Sequence, residues 1–167
     1  MRNKFKGFTL VELLLYMGLL TILLSVLTAI FVSALDVQLE SQATSAVEQD
    51  GNFILARLAY DIRRASIINI PSTNGLPPTS NFEIVVDGVN YNYSTDGSDN
   101  LVLTNNLGTN NLNSYGSRIL GLSVIRLGNT GGVEDTLKIS FTVTSRAQRV
   151  SGPETRNFKT TLSLRRK

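Results

Sequence analysis

The chain has 167 residues, 42% of them apolar, and it contains no Cys, His or Trp. These absences exclude disulfides, thiol nucleophiles, Ser-His-Asp triads and zinc sites of the usual ligand types. The net charge of +3 equals the charge of residues 1–7 alone, so the basic balance is weak evidence for nucleic-acid binding. The length suits one compact domain with an appendage.

The first predicted element is a membrane-spanning helix. From Leu13 to Leu35 the sequence holds 23 residues without a charged side chain or a proline. At ~1.5 Å per residue, such a helix crosses the ~30 Å hydrocarbon core of a bilayer. Three basic residues, Arg2, Lys4 and Lys6, precede the run. The positive-inside rule therefore predicts a cytoplasmic N-terminus, with the remainder of the chain across the membrane.

Glu12 is the unusual residue of this segment. The apolar run is too long for a cleaved secretory signal, whose core has ~7–15 residues. A plain signal anchor fits the length but does not explain an acid one turn into the apolar segment. Because a charge in lipid is costly, such an acid predicts a functional role and a partner. That partner must come from residues 1–7, from another chain, or from an amine created by cleavage.

The segment KGFTLVELL, followed by about twenty apolar residues, resembles the prepilin signature of type IV pilins and type II secretion pseudopilins. The resemblance identifies residues 1–7 as a leader and Gly7-Phe8 as the cleavage site. It implies cleavage by a membrane prepilin peptidase and N-methylation of Phe8. Residues 8–35 would then form the transmembrane helix of a precursor and, later, the core of an extracytoplasmic filament.

The resemblance also implies that Glu12 and Phe8 act in assembly. In family filaments, the carboxylate of one subunit is thought to neutralise the Phe8 amine of a neighbour. Such pairing removes most of the cost of a buried charge, so it can select for assembly and fix the axial register. Pairing of Glu12 with the amine of its own chain stays open. Other pilin subunits, an inner-membrane assembly platform and membrane lipid are the further expected partners.

Residues 36–66 predict an amphipathic continuation of the helix. Its apolar stripe consists of Val37, Ala43, Val47, Gly51, Ile54, Leu58, Ile62 and Ala65. We interpret this stripe as packing against the head. Gly51 marks either a bend or a close packing contact, because glycine costs ~1 kcal/mol in a helix relative to alanine.

Residues 67–167 predict a β-rich head. A Pro- and Gly-rich connector after Ser66 precedes a hairpin centred on Asp87-Gly88. Further strands are predicted at 101–104, 118–127, 135–143 and 157–165, with Phe158 pointing into the core. Residues 90–113 hold eight asparagines and read as flexible loop sequence on the sheet edge. The expected fold class is α+β, one long helix packed on an antiparallel sheet, as in pilins.

Two weaker matches concern the subtype. The segment LARLAYDIRRA at 55–65 and the closing FKTTLSLRRK resemble minor subunits of the PilW and GspJ type. The chain lacks the cysteine pair of many major pilins, and it lacks their proline within residues 8–35. These features favour a minor subunit over a major one.

Two further sites are predicted with less support. Asp96 and Asp99 offer oxygen ligands for calcium, although the EF-hand pattern fails because its twelfth position is Leu107. No other cofactor is expected. A basic C-terminal segment is a candidate for DNA phosphates, for charge matching between subunits, or for a solvated strand face. Its cations are Arg146, Arg149, Arg156, Lys159, Arg165, Arg166 and Lys167.

The sequence as a whole predicts a structural subunit of a pilus or pseudopilus and not an enzyme, since no catalytic constellation is apparent. The alternative is a membrane-anchored receptor for DNA or a surface that does not assemble. Pilus, secretion and DNA-uptake systems are all compatible with these residues.

Overall fold

The computed structural model describes residues 7–72, 74–75, 77–128, 135–149 and 151–164. These described residues form one long helix followed by eight antiparallel strands, which confirms the α+β prediction. The chain divides into two compact units, Met1–Gln38 and Leu39–Lys167, and each is described by itself.

The helix, α1, runs from Leu10 to Arg64. In the first unit its side chains are exposed throughout, and an 18-residue window reaches a mean hydropathy of 2.4. Such a helix is long and apolar enough to cross a membrane. Nothing within the described residues of this unit buries the apolar surface, so the helix requires an apolar environment from outside.

The second unit contains two antiparallel sheets. The first has the order β1-β2-β3-β4-β5, and the second has the order β6-β7-β8. The strands are β1 Ala65–Ile70, β2 Phe82–Val86, β3 Val89–Thr95, β4 Leu101–Asn105, β5 Gly108–Asn111, β6 Ser117–Leu127, β7 Thr136–Ser145 and β8 Thr155–Ser163. The sequence predicted one sheet; two form because the connections after β5 lead into a separate set of hairpins.

The core lies between the second half of α1 and the inward faces of the strands. The predicted stripe is confirmed for Ala43, Val47, Gly51, Ile54, Leu58 and Ile62, which are all buried. Val37 is an exception and is 65% exposed. The largest fully buried side chains from the sheets are Tyr93, Phe82, Phe141, Ile84, Leu101, Ile119, Leu137 and Ile139. Tyr93 stacks on Phe82, with ring centroids 4.5 Å apart.

Gly51 marks a close packing contact. A Cβ atom at this position would overlap the ring of Phe158 in β8. Phe158 in turn stacks on Phe141 of β7, with centroids 5.6 Å apart. The glycine therefore lets β8 approach α1, which offsets its low helix propensity. Phe158 packs against the core, as predicted, although it is only partly buried.

The helix ends at Arg64, close to the predicted end near Ser66. Two other sequence predictions about the head were wrong. β1 occupies the first part of the predicted connector. Residues 90–113 are mostly strand: they hold most of β3, all of β4, and β5, which was not predicted. The asparagines concealed β5 because its four residues are all exposed and leave no apolar alternation.

Candidate processing and assembly site

Gly7, Phe8 and Thr9 lie outside the helix, directly before its first residue. Thr9 is the N-cap: its hydroxyl accepts a hydrogen bond from the backbone N–H of Glu12 at 3.3 Å, and its carbonyl accepts one from Leu13 at 3.1 Å. The cap fixes where the helix begins. The Gly7-Phe8 peptide bond is consequently in non-helical chain, the form in which a protease can engage a backbone.

Glu12 occupies the third position of α1, in the first turn. A carboxylate there interacts favourably with the partial positive charge of the helix N-terminus. The spacing Thr9-x-x-Glu12 is that of a capping box, a signal that the sequence interpretation overlooked. Among the described residues Glu12 forms no ion pair, so its carboxylate is available to a cation from elsewhere.

Phe8 is 76% exposed and packs edge-on against Tyr16, with ring centroids 6.3 Å apart. Phe8 and Leu13 hold the two positions of a hydrophobic staple, the residue before the N-cap and the fourth helical residue. The predicted methylation residue is therefore accessible and lies one residue before the N-cap.

The hydroxyl groups within the apolar helix bond to the helix itself. Thr21, Ser25 and Thr28 each donate to the carbonyl four residues earlier, all at 2.8 Å. Each hydroxyl therefore makes its hydrogen bond within the helix and needs no acceptor from another element. The helix surface around these residues can therefore lie in hydrocarbon at little polar cost.

Comparison with protein families gives a match at this end of the chain. Residues 2–28 match the prokaryotic N-terminal methylation motif. The chain carries a prepilin methylation motif. The matched range includes Gly7, Phe8 and Glu12 and extends over the first part of the apolar helix. Neither the search of curated proteins nor the search of solved structures finds a match.

The methylation motif supports a pilin or pseudopilin that is processed by prepilin peptidase. Together with the apolar helix, it fits a membrane-anchored precursor whose partners include other pilin-type subunits. It covers only the first part of the chain, so the head and the subtype need separate evidence.

Within the described residues, three of the four predicted DNA-binding cations are engaged inside the chain. Arg149 pairs with Glu40 of α1 at 3.0 Å and with Glu154 at 3.2 Å, and its side chain is only 8% exposed. Arg156 pairs with Glu48 of α1 and with Glu154. We call these five residues the head ion-pair network. In this network the positive charges of Arg149 and Arg156 are paired with carboxylates, whereas the DNA hypothesis required them to bind phosphates.

Arg146 also has partners within the chain. Its guanidinium donates to the carbonyls of Ser117 and Ser98 at 2.8 and 2.5 Å. Lys159 forms no ion pair with any described residue, and Arg165, Arg166 and Lys167 lie outside the described residues. DNA binding by this segment stays a prediction, and the visible pairing does not support it.

The predicted calcium loop is stabilised by its own hydrogen bonds. The carboxylate of Asp96 accepts bonds from the backbone and side chain of Asn100 and from the backbone of Ser98, at 2.8 to 2.9 Å. These bonds, those from Asn100 first, lower the pKa of Asp96. Asp99 adopts a left-handed backbone with φ 60°. Groups of three or more acidic, His or Cys ligands do not occur in the described ranges, so calcium stays an unsupported prediction.

Two polar contacts of α1 were not predicted. Asp61 is 1% exposed and accepts hydrogen bonds from Arg57 and from Tyr93 of β3. Asp50 accepts three hydrogen bonds from the start of β6 and the residues before it: two from the backbone and hydroxyl of Ser114, and one from the hydroxyl of Ser117, the first residue of β6. A partial signal for the first contact is visible in the sequence, because Arg57 and Asp61 have the i,i+4 spacing of a helical ion pair.

Proposed function

We propose that the chain is a structural subunit, of the minor type, of a type IV pilus or a type II secretion-like pseudopilus. Prepilin peptidase cleaves the precursor after Gly7, and the mature protein assembles through α1. The observation that carries the proposal is the methylation motif at residues 2–28, together with the exposed apolar helix that it introduces.

The geometry around residues 7–12 supports the processing step. The Gly7-Phe8 bond is outside the helix, and Thr9 prevents the helix from extending into it. Three basic residues precede the bond and the uncharged run follows it, so we place the cleavage site on the cytoplasmic side. Cleavage there leaves the anchor intact and produces an amine at Phe8.

The charges support the assembly step. A new amine at Phe8 and the carboxylate of Glu12 lie at the same end of α1. Because filament core and lipid are both apolar, burial alone gives little preference for either. Neutralising each Phe8 amine with the Glu12 of a neighbour supplies that preference and a register. The minor assignment is supported by the segment 55–65 and by the absence of cysteine.

The test of processing is the intact mass of the protein recovered from cells that contain their native prepilin peptidase. We expect loss of Met1 to Gly7 and the addition of one methyl group at Phe8. A full-length, unmethylated chain would contradict the proposal. A Gly7 substitution should block cleavage, and the same chain without the peptidase provides the control.

The test of assembly is Glu12→Ala, compared with Asp36→Ala as a control at an exposed acid of the same helix. We expect Glu12→Ala to remain in the membrane and to fall by at least about tenfold in the sheared filament fraction, because an unpaired buried amine costs several kcal/mol. Asp36→Ala should assemble normally. Normal assembly of Glu12→Ala would contradict the proposed role of Glu12. Absence of the parent chain itself from the sheared filament fraction would favour the alternative, a membrane-anchored receptor that does not assemble.

A further inference from the structure

A polar groove lies where β3 and β4 separate. The last residue pair between these strands is Asn92 with Thr104, whereas β3 begins earlier, at Val89, and β4 ends at Asn105. The first three residues of β3 therefore have no partner on β4. The resulting groove is shallow and open to solvent, with a volume of about 520 Å³. Its lining residues are Gly88, Val89, Asn90, Asn92, Thr104, Asn105 and Asn106.

Several side-chain amides of the groove have no hydrogen-bond partner among the described residues. The side-chain amides of Asn90, Asn92 and Asn106 form no hydrogen bond with any described residue. Each amide provides two donors and an acceptor. The hydroxyl of Thr104 lies 2.9 Å from that of Thr109 and keeps further acceptor capacity.

The groove is also free of charge. None of its seven lining residues is ionisable. The neighbouring carboxylate of Asp87, in the turn between β2 and β3, pairs with Arg64. The lining therefore has nothing to select a phosphate, a carboxylate or an amine by charge. A neutral ligand with many hydroxyl groups matches such an uncharged, amide-lined surface.

We propose that this groove binds a neutral oligosaccharide. The three amides and the Thr104 hydroxyl supply the donors and acceptors that vicinal sugar hydroxyls require, while Gly88 and Val89 offer an apolar contact for the C–H face of a sugar ring. The groove is open, so a chain of sugars can pass through it. The proposal does not depend on assembly, because it concerns only the head.

The test uses the full chain in micelles of a zwitterionic detergent without a sugar headgroup, observed through its asparagine side-chain amide signals by NMR. The probes are neutral hexasaccharides of glucose, of galactose and of N-acetylglucosamine. We expect saturable shifts of Asn90, Asn92 and Asn106 with one of them, at a Kd of about 0.1–1 mM, as suits a few neutral hydrogen bonds.

Two variants separate the groove from the rest of the asparagine-rich surface. Asn90→Ala and Asn106→Ala should each weaken binding about five- to tenfold. Asn110→Ala is the matched control, an exposed asparagine of β5 outside the groove, and should bind normally. All three positions are exposed, so folding should be retained.

Three outcomes would overturn the proposal. The first is no saturable shift with any hexasaccharide up to about 10 mM, the weak limit of such sites. The second is equal weakening by Asn110→Ala. The third is tighter binding of an anionic probe, single-stranded DNA, at the same amides. None of these outcomes affects the test of assembly at Glu12.

Discussion

Asp61 brings a carboxylate into the core of the head, at the point where α1 meets β3. One of its oxygens, Oδ2, accepts bonds from Arg57 at 2.6 Å and from Tyr93 at 2.5 Å. The other, Oδ1, is buried without a partner among the described residues. Burial lowers the pKa of Arg57, but the hydrogen bond and charge of Asp61 outweigh it and raise that pKa overall. The contact fixes the helix relative to the sheet at a cost in desolvation.

Tyr93→Phe tests this contact. Loss of the Tyr93 hydroxyl leaves Asp61 with one hydrogen bond fewer in the core, so the free energy of unfolding should fall by ~1–3 kcal/mol. Urea unfolding of the full chain in micelles measures the change, and Tyr91→Phe is the control, since that hydroxyl has no bond to any described residue. A Tyr93→Phe variant within ~0.5 kcal/mol of the parent would contradict the assignment.

Gly51→Ala tests the contact between α1 and β8. Alanine favours the helix by ~1 kcal/mol, but its Cβ displaces the ring of Phe158, and overpacking costs ~1–3 kcal/mol. We expect net destabilisation in the same urea assay. Adding Phe158→Leu should make the pair cost less than the sum of the two single changes. Additive costs would show that the two residues do not compete for space.

At the scale of elements, the head ion-pair network joins β8 and the segment before it to α1. Glu154 accepts hydrogen bonds from Arg149 and Arg156, and these bonds, that of Arg149 first, lower its pKa. A carboxylate whose folded pKa is lowered adds stability above its unfolded pKa. That contribution disappears as the pH falls through the folded value.

The network therefore predicts a pH dependence. As the pH falls below 4.5, the usual pKa of this side chain, and through its lower folded pKa, the parent should lose more stability than Glu154→Gln, which has no proton to gain at this position. Thermal unfolding of both chains from neutral pH to pH ~3 measures the difference. Parallel stability curves would mean that Glu154 contributes nothing through its charge.

The elements also differ in how well the sequence predicted them. The hairpin at Asp87-Gly88 and the strands β6, β7 and β8 were predicted because apolar residues alternate along them. β1 and β5 were missed. β5 lacks any apolar residue, and β1 follows α1 without a break, so the helical stripe continues into Ala65. Their strand conformation depends on pairing with β2 and β4, which is a tertiary effect.

At the scale of the whole molecule, the methylation motif could be predicted from the sequence, whereas the polar contacts of the head could not. Gly7, Phe8 and Glu12 belong to a local motif, so their spacing is visible in the sequence. Arg149 and Arg156 share the local partner Glu154, but their partners on α1 are Glu40 and Glu48, more than a hundred residues earlier. Only the folded chain reveals that these cations pair with α1, because a local sequence pattern does not show contacts between residues so far apart.

The hydroxyls of Thr21, Ser25 and Thr28 bond to the backbone of their own helix, so they do not specify how a neighbouring helix is positioned along it. They are the only hydroxyl side chains between residues 17 and 32, and each donates its hydrogen bond to a backbone carbonyl of the same helix. A neighbouring helix that slides along this stretch breaks none of these bonds. These hydroxyls therefore do not set the axial position of a neighbouring helix. Glu12, nearer the start of α1, is left as the charged group that can set it. In the proposed filament, moving the glutamate of position 12 by one helical turn, with the rest of α1 unchanged, should shift neighbouring subunits relative to one another by about 5.4 Å.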